Sequence, residues 1–491
     1  MAEPGATGYE RRRPEATVLH AVVRDHLESF LADARARTAH GFGVPRHVER
    51  ELRGYLACGV LAHGFVRVRC ADCGFDRLVA FACKGRAVCP SCRGRRMTDL
   101  AAHLVDRVLP PAPYRQWTLS VPWRLRVVLA RDRRLLSRAL GCFVRAVFRW
   151  QRAQARARGV VGAAPGAVTA IQRFGSVLNL NVHFHTLVPD GVFVANGAGG
   201  ARFVPLPAPT DDEVAEVCAR AARRILRLLD DGDDGDDGDD DDDHGTKALH
   251  ADAARAPVGT LPLALALPPS PGRRRTASVD DFTLHADTAV AAHDRDGLER
   301  LARYGARPPF AHRRLRLTGS GQVAYRLRRP WFTGQTEIVL APVAFLRRLA
   351  ALIPPPRQNQ TRYHGVFAAH AGLRAAVTAL IPGGPGPGAR SPHNHDRPGD
   401  QPAPVARPSR LPWAELFRRV FREDLLVCPR CTGPMRVLAA ITEPAVIDAI
   451  LTHLGLPTAP PAVAAARAPP QVAIWPGALD PPPDLDAFDP A

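Results

Sequence analysis

The sequence predicts an α+β protein organised around one sheet, and three observations carry that expectation. Strand-like runs (QWTLSV, LNLNVHFHTLV, GVFVA) alternate with the long helical pattern LLSRALGCFVRAVFRWQRAQARA between residues 114 and 206. A helical N-terminus leads into a cysteine-rich block, and acidic or Pro/Gly-rich tracts cut the chain into modules.

Taken in order, residues 15–62 have the apolar spacing of helices in LHAVVRDHLESFLADA and VERELRGYLACGVLAHG. Met97–Leu109 reads as a further helix, stopped by Pro110 and Pro111. The expected boundaries are 15–108 for a helical, cysteine-bearing domain and 109–380 for a second domain. Within the latter, 211–229 is a helix and 230–277 a disordered insertion, because patterned sequence resumes at DDFTLHADTAV. A linker at 382–411, a small C-x-x-C module at 412–456 and a disordered tail at 457–491 complete the chain.

Charge narrows the function. The 491 residues carry 66 basic against 48 acidic side chains, a net +18, and 11 of the aspartates lie between Asp230 and Asp243. Taking those 11 negative charges away leaves +29 on the rest. Such a surplus points to a polyanionic partner, most often nucleic acid. Only Lys84 and Lys247 are lysines, and arginine is the side chain that grips phosphate bidentately. There is neither the apolar run of a signal peptide nor one long enough to span a bilayer, so a soluble, cytoplasmic protein is expected. In a reducing compartment ten cysteines in paired spacings suggest metal ligands rather than disulfides.

Cys70-x2-Cys73-x15-Cys89-x2-Cys92 has the spacing of a tetrahedral four-cysteine structural zinc site, with Cys83 and His63 as substitutes for one ligand. Arg67, Arg69, Arg77, Lys84, Arg86, Arg93, Arg95 and Arg96 surround it and suit it to gripping DNA. Cys428-x2-Cys431 is half a site, to which His453 can add a ligand.

Ser176–Val188, read as a strand, places Leu178, Leu180, Val182 and Phe184 on one face and Asn179, Asn181, His183 and His185 on the other. Histidines two apart lie about 6–7 Å apart at Cα, close enough for both imidazoles to reach one ion. An H-x-H pair read by itself is equally an ordinary surface pair. Among six tyrosines, Tyr304 sits near the end of the helical run GLERLARYGAR, with Arg300 four residues before it and Arg307 three after. By residues alone it is either the last member of the Leu298/Leu301 core stripe or a phenol placed beside cationic forks.

At this point the chain resembles the HUH-type rolling-circle transposases of bacterial insertion sequences. The resemblance rests on FACKGRAVCPSCRGRR, PYRQWTLSVPWRLR, LNLNVHFHTLVPDGVF, LERLARYGARPPF, LAALIPPPRQNQTRYHGVFAAHAGLR and LVCPRCTGPMRVLAAI, which occur in family order over roughly residues 20–455. It implies an N-terminal zinc-ribbon-like module and an HUH endonuclease domain with a central antiparallel sheet. It also implies Mg2+ or Mn2+ on His183 and His185, and Tyr304 as the nucleophile in its R-Y-x-x-R-P-P setting. Many relatives have a third histidine where this chain has Asn181, so Asn181 and Gln172 are the candidates for a further ligand, both oxygen donors suited to hard ions. Some relatives have a second tyrosine where this chain has Arg300, which places it with a single-tyrosine subgroup and leaves Tyr363 either a structural residue or a second participant, the structural role being the one expected. The implied partners are single-stranded or hairpin DNA ends, in the cytoplasm at the nucleoid. The rival readings are a rolling-circle replication initiator, against which no G-x-x-x-x-G-K-[ST] run is found, and a non-catalytic zinc-dependent DNA-binding protein.

Overall fold

The computed structural model describes residues 12–38, 41–197, 199–230, 274–330, 334–382, 424 and 426–467. The aspartate tract beyond Asp230, most of the 230–277 insertion, nearly all of the 382–411 linker and the tail beyond 467 therefore lie outside the described residues.

The N-terminal part begins with α1 (Val18–Arg37) and α2 (Arg46–Leu56). Leu19, Val22, Val23, Leu27, Phe30 and Leu31 recur at helical spacing and are all buried. Thr17 caps α1 by accepting from the His20 amide at 3.3 Å. A hairpin of β1 (Phe65–Cys70) and β2 (Asp76–Ala80) follows, then α3 (Pro90–Arg107). The third helix starts earlier than its periodicity suggested, because the Cys89 sulfur caps it and Pro90 fills its first position.

The second part is built on a seven-stranded antiparallel sheet. Its elements open with β3 (Tyr114–Ser120), α4 (Trp123–Arg131), α5 (Arg133–Ala157), β4 (Gly166–Phe174) and β5 (Leu180–Pro189). A small hairpin, β6 (Gly191–Ala195) and β7 (Ala201–Pro205), leads to α6 (Asp211–Asp230), and the chain returns through β8 (Thr276–Val279), β9 (Phe282–His285) and β10 (Ala289–Val290). Next come α7 (Arg295–Ala306), a three-stranded sheet of β11 (Leu315–Leu317), β12 (Val323–Arg326) and β13 (Glu337–Leu340), then α8 (Pro342–Ala351), β14 (Thr361–Gly365) and the short α9 (Arg374–Thr378). Strand order in the main sheet is β14-β4-β5-β3-β9-β8, with β10 also on β3, so the histidine-bearing β5 lies inside the sheet.

Alternation along β5 directs its side chains to two different layers. Leu180, Val182, Phe184 and Val188 enter the core shared with α4, α5 and α6, where Phe184 stacks on Phe143 with ring centroids 6.4 Å apart. Leu187, on the opposite face, packs with Leu298, Leu301 and Ala302 of α7 and with α3. The α+β expectation holds, with helices covering both faces of the sheet.

Three details differ from the sequence reading. The strand begins at Leu180, because Ser176–Asn179 form a turn in which the Gly175 amide donates to the Asn179 carbonyl (2.9 Å) and Leu178 has φ +60°. The insertion closes earlier than residue 277, since Thr276 already pairs with His285. The C-terminal segment is not a separate module: β15 (Met435–Ile441) is the third strand of the β1–β2 sheet, followed by α10 (Pro444–His453). Part of the expected tail is tied down as well, the Ala464 amide to the Arg24 carbonyl (3.0 Å) and the Arg467 amide to Ser29 Oγ (2.9 Å).

Candidate active site and cysteine clusters

His183 and His185 leave β5 on the face that α7 covers. Their rings are 4.8 Å apart, centroid to centroid, and both are nearly buried, at 8% and 5% exposure. Each has one ring nitrogen engaged: His183 Nδ1 meets the Asn181 carbonyl at 2.9 Å, and His185 Nδ1 meets Thr118 Oγ1 at 3.2 Å. Such contacts orient an imidazole and leave Nε2 for other work. Burial, opposed by the Asn181 carbonyl and reinforced by Arg307 and Arg126, lowers the His183 pKa to about 4. Burial, then His183 and Arg307, holds His185 well below the ordinary histidine value. Both rings are therefore neutral at pH 7, the form that ligates metals.

Tyr304 meets this pair from α7. Its ring stands edge-on to His185 at 5.4 Å and 89°, and the residue is 42% exposed, so its position combines contact with His185 and access from solvent. Asp294 caps the start of the helix by accepting from the Gly297 amide (2.7 Å), and Pro308 and Pro309 follow its end. The other end is held by Gln172, the cross-strand partner of His183, whose Nε2 donates to the Tyr304 and Gly305 carbonyls at 2.9 and 2.7 Å. Gly305 allows the close approach: a Cβ there would lie 3.2 Å from that of Ala170 and 3.6 Å from that of His185. Arg307, just past the helix, lays its guanidinium 4.3 Å from the Tyr304 ring centroid.

The residues present fit a hard divalent ion by the polar atoms they leave unsatisfied. Gln172 Oε1, Asn181 Oδ1 and His185 Nε2 are all buried without a hydrogen-bond partner on this face of the sheet. A register shift between β4 and β5 just beyond Gln172 accompanies the Asn181 position, as bulges beside functional sites often do.

The predicted arginines divide. Arg307 joins the tyrosine, whereas Arg300 reaches back to Asp294 (3.6 Å) with its side chain 71% exposed. Beside the site lies a cleft of about 540 Å3 lined by Arg86, Arg93, Arg96, Arg357, Gly305 and Tyr363 among others. Arg96 is thus placed at a groove, while Arg95 is not among its lining residues. Tyr363 sits on the edge strand opposite Val168, and burial raises its pKa.

The four cysteines expected to form one zinc site do not come together. Cys89 and Cys92 join Cys58 and Cys83 in an inner tetrad, while Cys70 and Cys73 join Cys428 and Cys431 in an outer one, with the sulfurs of each group within 4.8 Å of one another. In the inner tetrad, separations of 3.6 Å (Cys58–Cys89, Cys58–Cys92, Cys83–Cys92) approach the roughly 3.8 Å edge of a tetrahedron with Zn–S bonds of about 2.3 Å. Amides of Gly85 and Cys92 donate to Cys83 and Cys89 sulfurs at 3.3 and 3.4 Å. Arg12 donates to Cys58 at its carbonyl (3.2 Å) and sulfur (3.5 Å), and although burial disfavours its charge, the Cys89 and Cys58 thiolates raise its pKa. Cys83 was foreseen as a substitute ligand; Cys58 was not, since it has no partner at x2 spacing. His63 and His453 belong to neither tetrad. The remaining two cysteines, Cys142 and Cys218, are buried in the helix-covered core.

The inner tetrad is wired to the tyrosine. Cys92 lies in the first turn of α3, and the next residue, Arg93, donates to the Ala306 and Arg307 carbonyls at 3.3 and 3.4 Å, two and three residues after Tyr304.

Comparison with known families bears directly on these two parts. Together with the cysteine tetrads, the matches support a zinc-binding, nucleic-acid-processing enzyme. More narrowly, residues 22–121 match the family described as "Transposase zinc-binding domain" and residues 166–374 the family described as "Putative transposase", which supports a transposase role and, with it, DNA binding and structural zinc. The first span holds the whole inner tetrad; the second holds His183, His185, Tyr304 and Tyr363. No curated protein and no solved structure matches the chain. Among the described residues, no helix is long and apolar enough to cross a membrane.

Proposed function

We propose that this chain is a transposase that cuts and rejoins single-stranded or hairpin DNA at insertion-sequence ends, with Tyr304 as its single nucleophile. The observation that carries this reading is the contact of the Tyr304 ring with the His183–His185 pair, 5.4 Å from His185, on a partly exposed helix beside an arginine-lined cleft.

Arginines lining the cleft, Arg96 and Arg357 among them, hold the strand by its phosphates, while Arg93 is engaged with the Ala306 and Arg307 carbonyls. Arg307 lies over the phenol and is placed to neutralise phosphate charge beside it. The Tyr304 oxygen attacks the scissile phosphorus, forming a 5′-phosphotyrosine bond and releasing a 3′-hydroxyl. Attack by a target 3′-hydroxyl on that bond restores the phosphodiester and frees the phenol, so no nucleotide cofactor is consumed. His183 and His185, with Gln172 or Asn181, would hold Mg2+ or Mn2+, which supplies charge stabilisation at the phosphate oxygens. Gln172 keeps the tyrosine helix seated on the sheet, and Arg300, four residues before Tyr304, replaces the second tyrosine of other relatives. Tyr363 supports the cleft wall, and the protein works in the cytoplasm at the nucleoid.

The test is incubation with labelled single-stranded element ends and Mn2+. A covalent protein–DNA adduct is expected, lost in Tyr304→Phe and reduced at least 100-fold in His183→Ala or His185→Ala. Tight binding without any adduct in the parent protein would favour a non-catalytic DNA-binding role instead.

A further inference from the structure

The outer cysteine tetrad lies outside the site just described, and half of it comes from a segment that neither family match reaches. The geometry points to a second Zn2+ bound by Cys70, Cys73, Cys428 and Cys431, which staples the C-terminal arm to the zinc module.

Four features of the chain support it. Sulfurs far apart in sequence meet: Cys70 and Cys431 are 3.4 Å apart, Cys73 and Cys428 3.6 Å, although the pairs are separated by 361 and 355 positions. None of the four is in a disulfide. These distances are near a zinc tetrahedron's edge and far beyond a sulfur–sulfur bond of about 2.05 Å.

The two halves are built alike. The Cys70 amide donates to the Phe75 carbonyl and the Cys428 amide to the Gly433 carbonyl, both at 2.9 Å. The residue after each pair, Gly74 (φ +71°) or Thr432 (φ +61°), takes the left-handed conformation that turns the chain back. The Arg430 amide points at the Cys428 sulfur (3.4 Å), a bond that stabilises a thiolate. The halves also interlock, for a Cβ on Gly433 would fall 2.0 Å from the Asp72 carboxylate.

The apolar contacts of the arm are small. Val68, Cys70, Cys428 and Met435 make one cluster and Leu61, Phe65, Ile447 and Leu451 another. The β1–β15 ladder aligns the arm, and a metal cross-link adds the free energy that clusters of this size do not supply. Finally, four thiolates close the coordination sphere, so this zinc is a fastener rather than a reagent. Cys73 and Cys431 are exposed while the inner tetrad is half-buried to buried, so a chelator reaches the outer ion first.

The experiment is elemental analysis of the purified full chain together with a Cys428→Ser/Cys431→Ser variant. Two zinc ions per chain are expected in the parent and one in the variant. A single ion in the parent, or two in the variant, would overturn the proposal. As a second readout, a protease site placed between residues 391 and 410 is cut in the full-length protein. The arm should co-elute with the body in the parent and separate in the variant; co-elution in both would show that zinc is not the fastener. Neither readout depends on DNA cleavage, so the transposase reading can fail while this one stands.

Discussion

The histidine–tyrosine site and the inner cysteine tetrad are both mostly buried and both assembled by packing, yet they differ in what is left over. In the tetrad every sulfur faces three others, and the set is complete once an ion is bound. In the histidine site Nδ1 of each ring is occupied, while His185 Nε2, Asn181 Oδ1 and Gln172 Oε1 remain buried without partners. A closed ligand set can only hold structure; an incomplete one beside an exposed phenol can also do chemistry. The two are coupled through α3, whose first turn carries Cys92 and whose Arg93 grips the backbone just beyond Tyr304.

Breaking the closed site should have the largest effect. Structural zinc contributes apparent binding free energies of about 10–16 kcal/mol that count as folding free energy, and Cys89→Ser leaves a three-sulfur remnant. Loss of one zinc and a collapse of the thermal transition for the N-terminal module are expected, with adduct formation falling too because Arg93 loses its anchor. If Cys89→Ser kept the parent melting profile, the inner tetrad would not be a structural centre. By contrast, Tyr304→Phe should abolish the adduct at unchanged melting temperature, which separates the two kinds of site.

This contrast also explains what was legible in the sequence. The histidine face could be read because a strand's period of two places His183 and His185 on one side without reference to anything distant. The α7 helix announced itself through Leu298, Leu301 and the proline stop. The cysteines were misgrouped for the opposite reason. A C-x-x-C spacing fixes only half a tetrahedron, and which halves meet is decided by the β1–β15 pairing (Cys70 opposite Met435) and by where α2 leaves Cys58. Arg300 was read as a companion of Tyr304 from helical spacing, but Asp294, at the N-cap, competes for it. The turn at Ser176–Asn179 was hidden because Leu178 is apolar and continues the alternation, while its φ of +60° takes it out of the strand.

A middle-sized effect concerns protonation. His183 titrates near 4 in the folded chain and near 6.5 when unfolded, because burial disfavours its charge. Between those values the unfolded chain takes up a proton that the folded chain refuses, so stability is complete above about pH 6.5 and is lost as pH falls toward 4. For this one group the loss between pH 7 and pH 5 is about 2 kcal/mol. Acid also protonates zinc thiolates, so the measurement is a comparison. Urea unfolding without added Mg2+ or Mn2+ should lose less stability on acidification in His183→Gln than in the parent, and equal losses would mean that the imidazole is not held neutral by its surroundings.

The smallest expected effect tests the two arginines that flank Tyr304 in sequence. Arg307 lies 4.3 Å from the tyrosine ring centroid, and a contact of this type is worth about 0.5–2 kcal/mol, rising as water is excluded. Arg307→Ala should therefore slow adduct formation by roughly tenfold, each factor of ten being about 1.4 kcal/mol. Arg300 is exposed and drawn to Asp294, and surface pairs of this kind contribute little. Arg300→Ala should change the single-turnover rate by less than about twofold. The ordering matters more than either value. If Arg300→Ala were the slower variant, Arg300 would have to leave Asp294 for the phosphate when DNA binds, and the open site would be completed by its substrate rather than assembled beforehand.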